Sequence, residues 1–361
     1  MKERVVVIGC GVVGATLAYE LSQLPQLEVW VCDRQPPAQG ATGAALGVLM
    51  GIISHKVKGR TWQLREASLR RYESLIPELE NLTGKTIPFN RQGLLSLCFD
   101  HAKIPKWQQL QQTRQAQGWP LEIWSPSALQ THCPALNVES VEAAIYSPRD
   151  RQVDPTALTL ALVQAAQLNG VNFQFDCAVQ AIVSAAGDHA SQVQTDVGAI
   201  AADWVIVSAG LGSEALADRT ISLIPVLGQA IRLQLETPLG NADFQPVING
   251  NDIHLVPLGQ NQYWIGATVE FPPETPLETL EPQTERLEAV IQGAIAYCPA
   301  LASGKILQTW SGLRPRPQGR PAPVIEQLAS NPNVILATGH YRNGVLLAPA
   351  TAQQVKKLIT A

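Results

Sequence analysis

Arg4-Val-Val-Val-Ile-Gly9-Cys-Gly11-Val-Val-Gly14 lies near the N-terminal end of the chain, and the fold follows from how it is read. An apolar run of strand character leads into three glycines in G-x-G-x-x-G spacing. Ala15–Leu24 carries Leu17, Leu21 and Leu24 on one helical face and is stopped by Pro25. Leu27–Cys32 reads as a second strand ending at Asp33, 19 positions after Gly14. Each part has a task. The first glycine permits a tight turn, the second lets a pyrophosphate approach, and the third packs helix against strand. The acid accepts from ribose hydroxyls. The pattern predicts a strand–helix–strand unit that binds a dinucleotide, and by itself it does not separate FAD from NAD.

Two further stretches fit around such a ligand. Gly40-Ala-Thr-Gly-Ala-Ala-Leu-Gly-Val-Leu-Met-Gly51 follows Asp33 with small residues, which let backbone lie against a flat ring or a diphosphate; the other reading is a flexible linker. Near the far end, the apolar strand Val334–Ala337 runs through Thr338 into Gly339-His-Tyr-Arg-Asn-Gly344, where the second glycine opens a helix. Backbone N–H groups at that turn favour negative charge. Arg342, held between the two glycines, suits a substrate carboxylate.

A chain of 361 residues exceeds what one core fills, so two lobes are expected. The net charge of −4, with both signs dispersed, argues against a nucleic-acid footprint. The six cysteines form no C-x-x-C pair and no cluster at metal spacing, so reduced thiols in a cytoplasmic protein and no metal site are expected. Residues 35–54 carry no charge but hold two prolines and four glycines, a poor membrane helix.

Along the chain, a helix is predicted from Trp62 to about Leu82 with Thr61 as its cap, kinked or divided at Pro77. Short strands are expected around Gly93–Cys98 and a helix around Trp107–Gln117. Asp154-Pro155 caps a helix that ends at Gly170. Phe173–Val183 and Trp204–Ser208 read as strands returning to the nucleotide domain, the latter closed by Ala209-Gly210. Ala230–Leu235, Ile253–Pro257 and Gln262–Thr268 read as antiparallel strands of the other lobe. Glu281–Tyr297 is a helix, and Lys305–Ser311 a strand leading to Arg314.

The fingerprint, the Gly40–Gly51 segment, Ser311-Gly-Leu-Arg-Pro315 and Gly339-His-Tyr-Arg-Asn-Gly-Val-Leu-Leu347 together resemble the D-amino-acid-oxidase superfamily of FAD enzymes. Within it they resemble the glycine-oxidase family associated with thiamin biosynthesis. The resemblance runs from first strand to last helix; residues 90–150 and 225–300 match in general layout only. It implies an α/β fold in which a Rossmann-type FAD-binding domain (1–84, 150–222 and 311–361) is interleaved with a smaller α+β substrate domain (85–149 and 223–310) built on an antiparallel sheet. It also implies FAD as cofactor and an association of identical chains.

Residue by residue, the resemblance sets Gly9, Gly11, Val12, Val13 and Gly14 at the pyrophosphate, and Asp33 with Arg34 at the adenosine ribose. Ala41, Thr42, Leu46, Gly47 and Val48 line the diphosphate and the flavin edge, and Val179 meets the adenine through its main chain. Gly210, Gly339, His340, Tyr341, Arg342, Asn343, Gly344, Val345 and Leu346 complete the cofactor set. The last three bring helix-end N–H groups to the part of the flavin where negative charge grows on reduction. Arg314 clamps the substrate carboxylate with Arg342 nearby, a task that suits the rigid guanidinium fork. Arg316 and Arg320 read better as surface ion-pair residues. His254 borders the pocket or is a satisfied core histidine, while Tyr263 and Tyr341 are unranked further candidates. Hydride transfer requires alignment rather than a strong base, so no residue is assigned as acid or base. The implied reaction is oxidative deamination of glycine or a similarly small amine (sarcosine, a short D-amino acid) to the oxo acid, ammonia and hydrogen peroxide, with oxygen as acceptor. Two alternatives stay open: a D-amino-acid or imino-acid dehydrogenase passing electrons to a quinone, and an RNA-base-modifying flavoenzyme of the same fold, which the acidic balance disfavours.

Overall fold

The computed structural model describes residues 2–184, 191–271 and 281–360. A six-stranded sheet is laid down in the order Val324–Leu328, Asn331–Thr338, Trp204–Val207, Glu3–Ile8, Leu27–Cys32, Asn172–Gln174. All neighbours are parallel except the edge pair 324–328 with 331–338. Its strands are apolar on both faces, as buried parallel strands must be. Val5, Val7, Val29, Val31, Ile206 and Ile335 face one core, shared with the helices Val12–Ser22, Gly59–Thr83, Pro155–Leu168 and Gly344–Thr360. Val6, Ile8, Val205, Val207, Val334 and Leu336 face a second core. That core is closed by the antiparallel meander Val179–Ser184, Ser191–Thr195, Gly198–Ala202.

The second large sheet has eight strands in the order Lys305–Pro317, Leu223–Gln234, Gln262–Gly266, Ile253–Gly259, Val247–Gly250, Leu94–Cys98, Ala143–Ser147, Glu122–Trp124. It is antiparallel apart from the parallel pairing of 247–249 with 94–96. Leu95, Ile231, Leu255, Tyr263 and Ile265 pack on the helix Thr284–Tyr297. The opposite face turns Leu94, Ile145, Ala230 and Val256 toward the nucleotide lobe. Functional groups are found on that second face.

Several elements differ from the sequence reading, among them the strand expected over Ala230–Leu235, which runs Leu223–Gln234. Gly59–Thr83 is one 25-residue helix whose N-cap is Lys58, with no side-chain cap; Thr61 lies inside it, and Pro77 does not divide it. The helix interior loses about 3 kcal/mol to a proline. Leu69, Tyr72, Leu75, Ile76 and Leu79 are all buried along the stripe either side of it, and each is worth roughly 1.5–3 kcal/mol. Packing therefore carries the helix through the proline. The stretch 173–183 is two strands in two sheets, because the chain reverses at Asp176 with φ 54° before Val179 enters the meander. Lys305–Pro317 is a single 13-residue strand with Arg314 inside it rather than after it. Pro315 and Pro317 are accommodated because this strand is at the sheet edge. The first helix starts at Val12 and ends at Ser22, earlier at both ends than expected.

Among the described residues, no helix is long and apolar enough to cross a membrane. No group of three His, Cys, Asp or Glu among them is arranged to hold a metal ion. All six cysteines are free and buried.

Candidate cofactor and substrate site

The turn between the first strand and the first helix is built by steric necessity. Gly9 has φ +100°, and a Cβ there would lie 2.7 Å from the Ser208 carbonyl oxygen. A Cβ on Gly14 would collide with the carbonyl oxygen of Gly9. Gly11 caps the helix in extended backbone with no side-chain cap, and the first turn holds no acid. The N-terminal positive end is thus left for an anion, with Thr42 Oγ1 accepting from Val12 N–H at 3.0 Å. Val13 is half-buried beside it. Asp33, at the end of the second strand, accepts from Cys10 N–H at 2.5 Å and from Gln35 N–H at 2.9 Å. Those bonds fix the carboxylate and leave lone pairs for hydroxyl donors, while Arg34 is exposed next to it. Cys177 N–H donates to the Asp33 carbonyl at 3.0 Å, which sets Val179 close to that acid. A glycine cradle, a bare helix start and an anchored acid fit a dinucleotide.

Ala41 is exposed and Thr42 buried at the start of the small-residue segment. From Leu46 onward that segment is held against the middle of the chain. Gln152 Nε2 donates to the Leu46 carbonyl at 3.1 Å, Val48 pairs with Gln152, and a Cβ on Gly47 would collide with the Val153 carbonyl. Asp150 then accepts from the N–H groups of Gly51, Ile52 and Ile53 at 2.7, 2.8 and 2.9 Å. Arg114, stacked 3.6 Å over the Trp62 ring, donates to the carbonyls of Ile52 and Ser54 at 2.7 and 2.8 Å. Burial pulls the Arg114 guanidinium down to about 10 and pushes the Asp150 carboxyl above its usual value against those three N–H donors. Neither residue was singled out from the sequence. Asp150 sits in Pro148-Arg-Asp-Arg151, which reads as a solvated turn, and no periodicity marks Arg114 as buried.

At the other end, Thr338 Oγ1 donates to the Gly210 carbonyl at 3.2 Å, joining Gly210 to the Gly339 turn. Tyr341–Asn343 form one 3-10 turn before the helix starts at Gly344. The His340 ring is buried against Thr351 Oγ1 at 2.8 Å. Burial, then the charge of Arg60, pulls it down to about 3, so it is neutral. Asn343 Oδ1 accepts from Arg65 Nη2 at 3.2 Å, and Arg65 Nη1 donates to the Met50 carbonyl at 2.7 Å. Arg65, also missed in the sequence, ties the small-residue segment at Met50 to the turn at Asn343. Val345 and Leu346 are buried, with Tyr72 Oη donating to the Val345 carbonyl at 2.6 Å.

Arg314 stands opposite Val226, and its guanidinium folds over Gly228, where a Cβ would collide with all three of its terminal atoms. Nη1 donates to the carbonyls of Leu227 and Thr268 at 3.0 and 3.1 Å. Nε and Nη2 have no acceptor among the described residues, nor is there a carboxylate ion pair. Burial, then Arg342, holds this guanidinium below its usual value, so the two arginines share one electrostatic space. Among the described residues, Arg342 has a loose 3.8 Å pairing with Asp252, which is 82% exposed. His254 faces both arginines. Burial, then Arg342, pulls it down to about 4, with Arg314 adding to the effect and Asp252 opposing it. Arg316 lies over the rings of Phe271 and Tyr341, and Arg320 pairs with Glu326. Arg314, Arg342, His254 and Tyr341 come together. Tyr263 does not: it is buried on the far face, where its hydroxyl accepts from Leu239 N–H at 2.9 Å. Trp310 Nε1 donates to the Ala44 carbonyl at 3.1 Å, and a Cβ on Gly312 would collide with Ala44. The small-residue segment thereby reaches the strand that carries Arg314.

Known proteins resemble this arrangement over its whole length. The family model described as DAO, FAD dependent oxidoreductase, matches residues 4–358. The bifunctional protein ThiO/ThiG of Synechocystis sp. is 34% identical over 98% of this chain and 51% of its own length. This chain thus spans about half of that relative. The glycine oxidase of Bacillus licheniformis is 27% identical, covering 99% of this chain and 94% of its own. The crystal structure of glycine oxidase from Geobacillus kaustophilus superposes with a TM-score of 0.89 at 25% identity, covering 99% of this chain and 95% of that one. With the glycine cradle, the anchored acid and the paired arginines in place, the chain belongs to the DAO family of FAD-dependent oxidoreductases.

Proposed function

We propose that the protein oxidises glycine or another small amine, such as sarcosine or a short D-amino acid, to the oxo acid, with ammonia and hydrogen peroxide as the other products from glycine. The observation that carries this reading is Arg314, a guanidinium that has no carboxylate partner among the described residues and whose Nε and Nη2 find no acceptor among them above Gly228. In this reading 1–84, 150–222 and 311–361 form the FAD-binding domain, and 85–149 with 223–310 the substrate domain. Bound FAD supplies the acceptor for a hydride from the substrate α-carbon. The chain supplies orientation and charge. Arg314 takes the substrate carboxylate as a two-pronged donor, and Arg342 adds a second positive charge. Two cations beside the amine disfavour its protonated form, which favours the free amine from which a hydride can leave. His254 and the His340 ring are both neutral, the latter bonded to Thr351. Neither is needed as a base when alignment drives the step.

Anaerobic flavin bleaching by glycine, sarcosine, D-alanine, D-proline and a long D-amino acid, followed by peroxide measurement in oxygen, tests the reading. Rapid bleaching by the small amines and its loss in Arg314→Ala are expected. Bleaching with an artificial electron acceptor but no turnover with oxygen would favour a dehydrogenase. FAD-loaded protein that none of these amines bleaches would overturn the assignment.

A further inference from the structure

Arg316 follows Arg314 at the next same-face position of the edge strand Lys305–Pro317. Positions two apart on a strand point to one side of the sheet and stand about 7 Å from each other. Their surroundings differ. The Arg314 guanidinium is drawn in over Gly228, whereas Arg316 is exposed. The sequence reading made Arg316 and Arg320 surface ion-pair residues, and Arg320 does pair with Glu326. Arg316 has no carboxylate partner among the described residues. It lies instead over the rings of Phe271 and Tyr341, 5.3 and 5.5 Å from their centres.

Tyr341 joins this outer arginine to the inner ones. It has φ +54°, a left-handed conformation that few side chains adopt. Its ring meets Arg316, while its phenol is near enough to act on the charge of Arg314. Its chain neighbour, Arg342, acts on Arg314 and His254 in turn. Three guanidinium groups thus gather about one tyrosine. The acids nearby do not balance them. Asp252 is 3.8 Å from Arg342 and largely in solvent. Glu270 is taken up by Gln229 Nε2 at 2.9 Å and by Arg286 at 3.4 Å. A cation held on aromatic faces keeps its full charge, because a ring offers a quadrupole and no counter-charge. Positive charge therefore runs from solvent inward, with Arg316 and Arg342 exposed and Arg314 half-buried.

We propose that Arg316 is a positioning residue that draws carboxylate-bearing substrates to the mouth of the Arg314 site, through its charge rather than through a contact kept in the bound complex. A cluster of one sign raises the local concentration of the opposite ion. It also favours the free-amine anion of an amino acid over the zwitterion, in the same sense as Arg314 and Arg342. Stacking on the two rings fixes where that charge stands. This inference rests on the amino-acid-oxidase reading of Arg314 and names how the same site is supplied.

The test is a charge series in the FAD-loaded protein: Arg316→Lys, Arg316→Gln and Arg316→Glu. KM and kcat are measured for the small amine that reduces the flavin best. Kd is measured for acetate, a carboxylate with no amine, from its perturbation of the flavin absorbance. At low salt, Arg316→Gln should raise KM and the acetate Kd about two- to fivefold, with kcat unchanged. Arg316→Glu should raise them by the square of that factor, and Arg316→Lys should match the wild type. At about 1 M salt, where screening leaves a reach of only about 3 Å, all four proteins should converge. A purely structural role would follow the ring contacts and not the sign of the charge. FAD content shows which variants are folded, and Arg316→Gln and Arg316→Lys decide the matter if Arg316→Glu is lost. Unchanged constants in folded Arg316→Gln would overturn the proposal. So would equal losses in Arg316→Gln and Arg316→Glu, or a defect that persists at high salt. If no amine reduces the flavin, the amino-acid-oxidase reading fails, and acetate binding still decides whether Arg316 serves a carboxylate.

Discussion

The guanidinium of Arg314 rests on Gly228, the residue one strand over whose missing side chain makes the space it occupies. A half-buried cation is thereby held by carbonyls, with no carboxylate partner among the described residues. Gly228→Ala should evict the guanidinium while leaving the nucleotide cradle intact. A two-pronged, charge-assisted contact is worth about 1.5–3 kcal/mol, so KM for the substrate should rise roughly ten- to hundredfold. Arg314→Lys should give a loss of the same order, because an ammonium cannot reproduce the fork. Steady-state kinetics on the best amine checks both, with FAD content as control. An unchanged KM in Gly228→Ala would separate Arg314 from carboxylate binding.

A second expectation concerns cofactor retention. Any Cβ at position 14 meets the carbonyl oxygen of Gly9, so helix and strand must move apart at the turn proposed to receive the pyrophosphate. Overpacking of this kind costs about 1–3 kcal/mol. Gly14→Ala should therefore bind FAD roughly ten- to hundredfold more weakly. Titration of apoprotein with FAD, followed by flavin fluorescence, measures the shift directly.

These two glycines also mark how far the sequence could be read. Gly9, Gly11, Gly14 and Asp33 were legible because each answers a local demand within one strand–helix–strand unit. The clamp on the Gly51–Ile53 segment was not, because its acceptor, Asp150, is almost a hundred residues away in a charged tripeptide. Arg65 and Arg114 were hidden for the same reason: burial of a charged side chain is decided by partners that the local sequence does not display. The length of the strand Lys305–Pro317 was masked by its glycine and prolines, which only its place at the sheet edge reconciles with strand structure. Asn249 stands in Asn249-Gly-Asn-Asp252, a composition that announces a turn, yet it is a buried strand residue whose amide donates to Ser96.

Acid should destabilise the protein through its buried histidines. His340 and His254 are held at about 3 and about 4, below the ordinary value of 6.5. Between those limits and 6.5 the unfolded chain binds more protons than the folded one, so unfolding free energy rises with pH in that window. As pH falls below 6.5, each histidine removes about 1.4 kcal/mol per pH unit until its folded-state value is reached. His340→Gln, which keeps a hydrogen-bonding group near Thr351, should reduce the slope of stability against pH by about that amount between pH 6 and 4. Urea unfolding at a series of pH values reads the slope; an identical slope in the variant would show that His340 titrates normally.

The long helix Gly59–Thr83 gives the last expectation. Pro77 is on its exposed side, yet the helix continues through it because the buried stripe holds both halves. The proline removes one N–H that would otherwise bond to the carbonyl of Glu73 four residues back. Pro77→Ala restores that donor without altering a packed surface. The gain is bounded above by the proline penalty of about 3 kcal/mol and reduced by the extra freedom that alanine gives the unfolded chain, about 1 kcal/mol. A net stabilisation of roughly 1–2 kcal/mol should result. Thermal and denaturant unfolding of the FAD-loaded protein would register it as a higher midpoint with unchanged flavin content. A lower midpoint would mean that the backbone set by Pro77 is needed to seat Leu75 and Leu79 in the core.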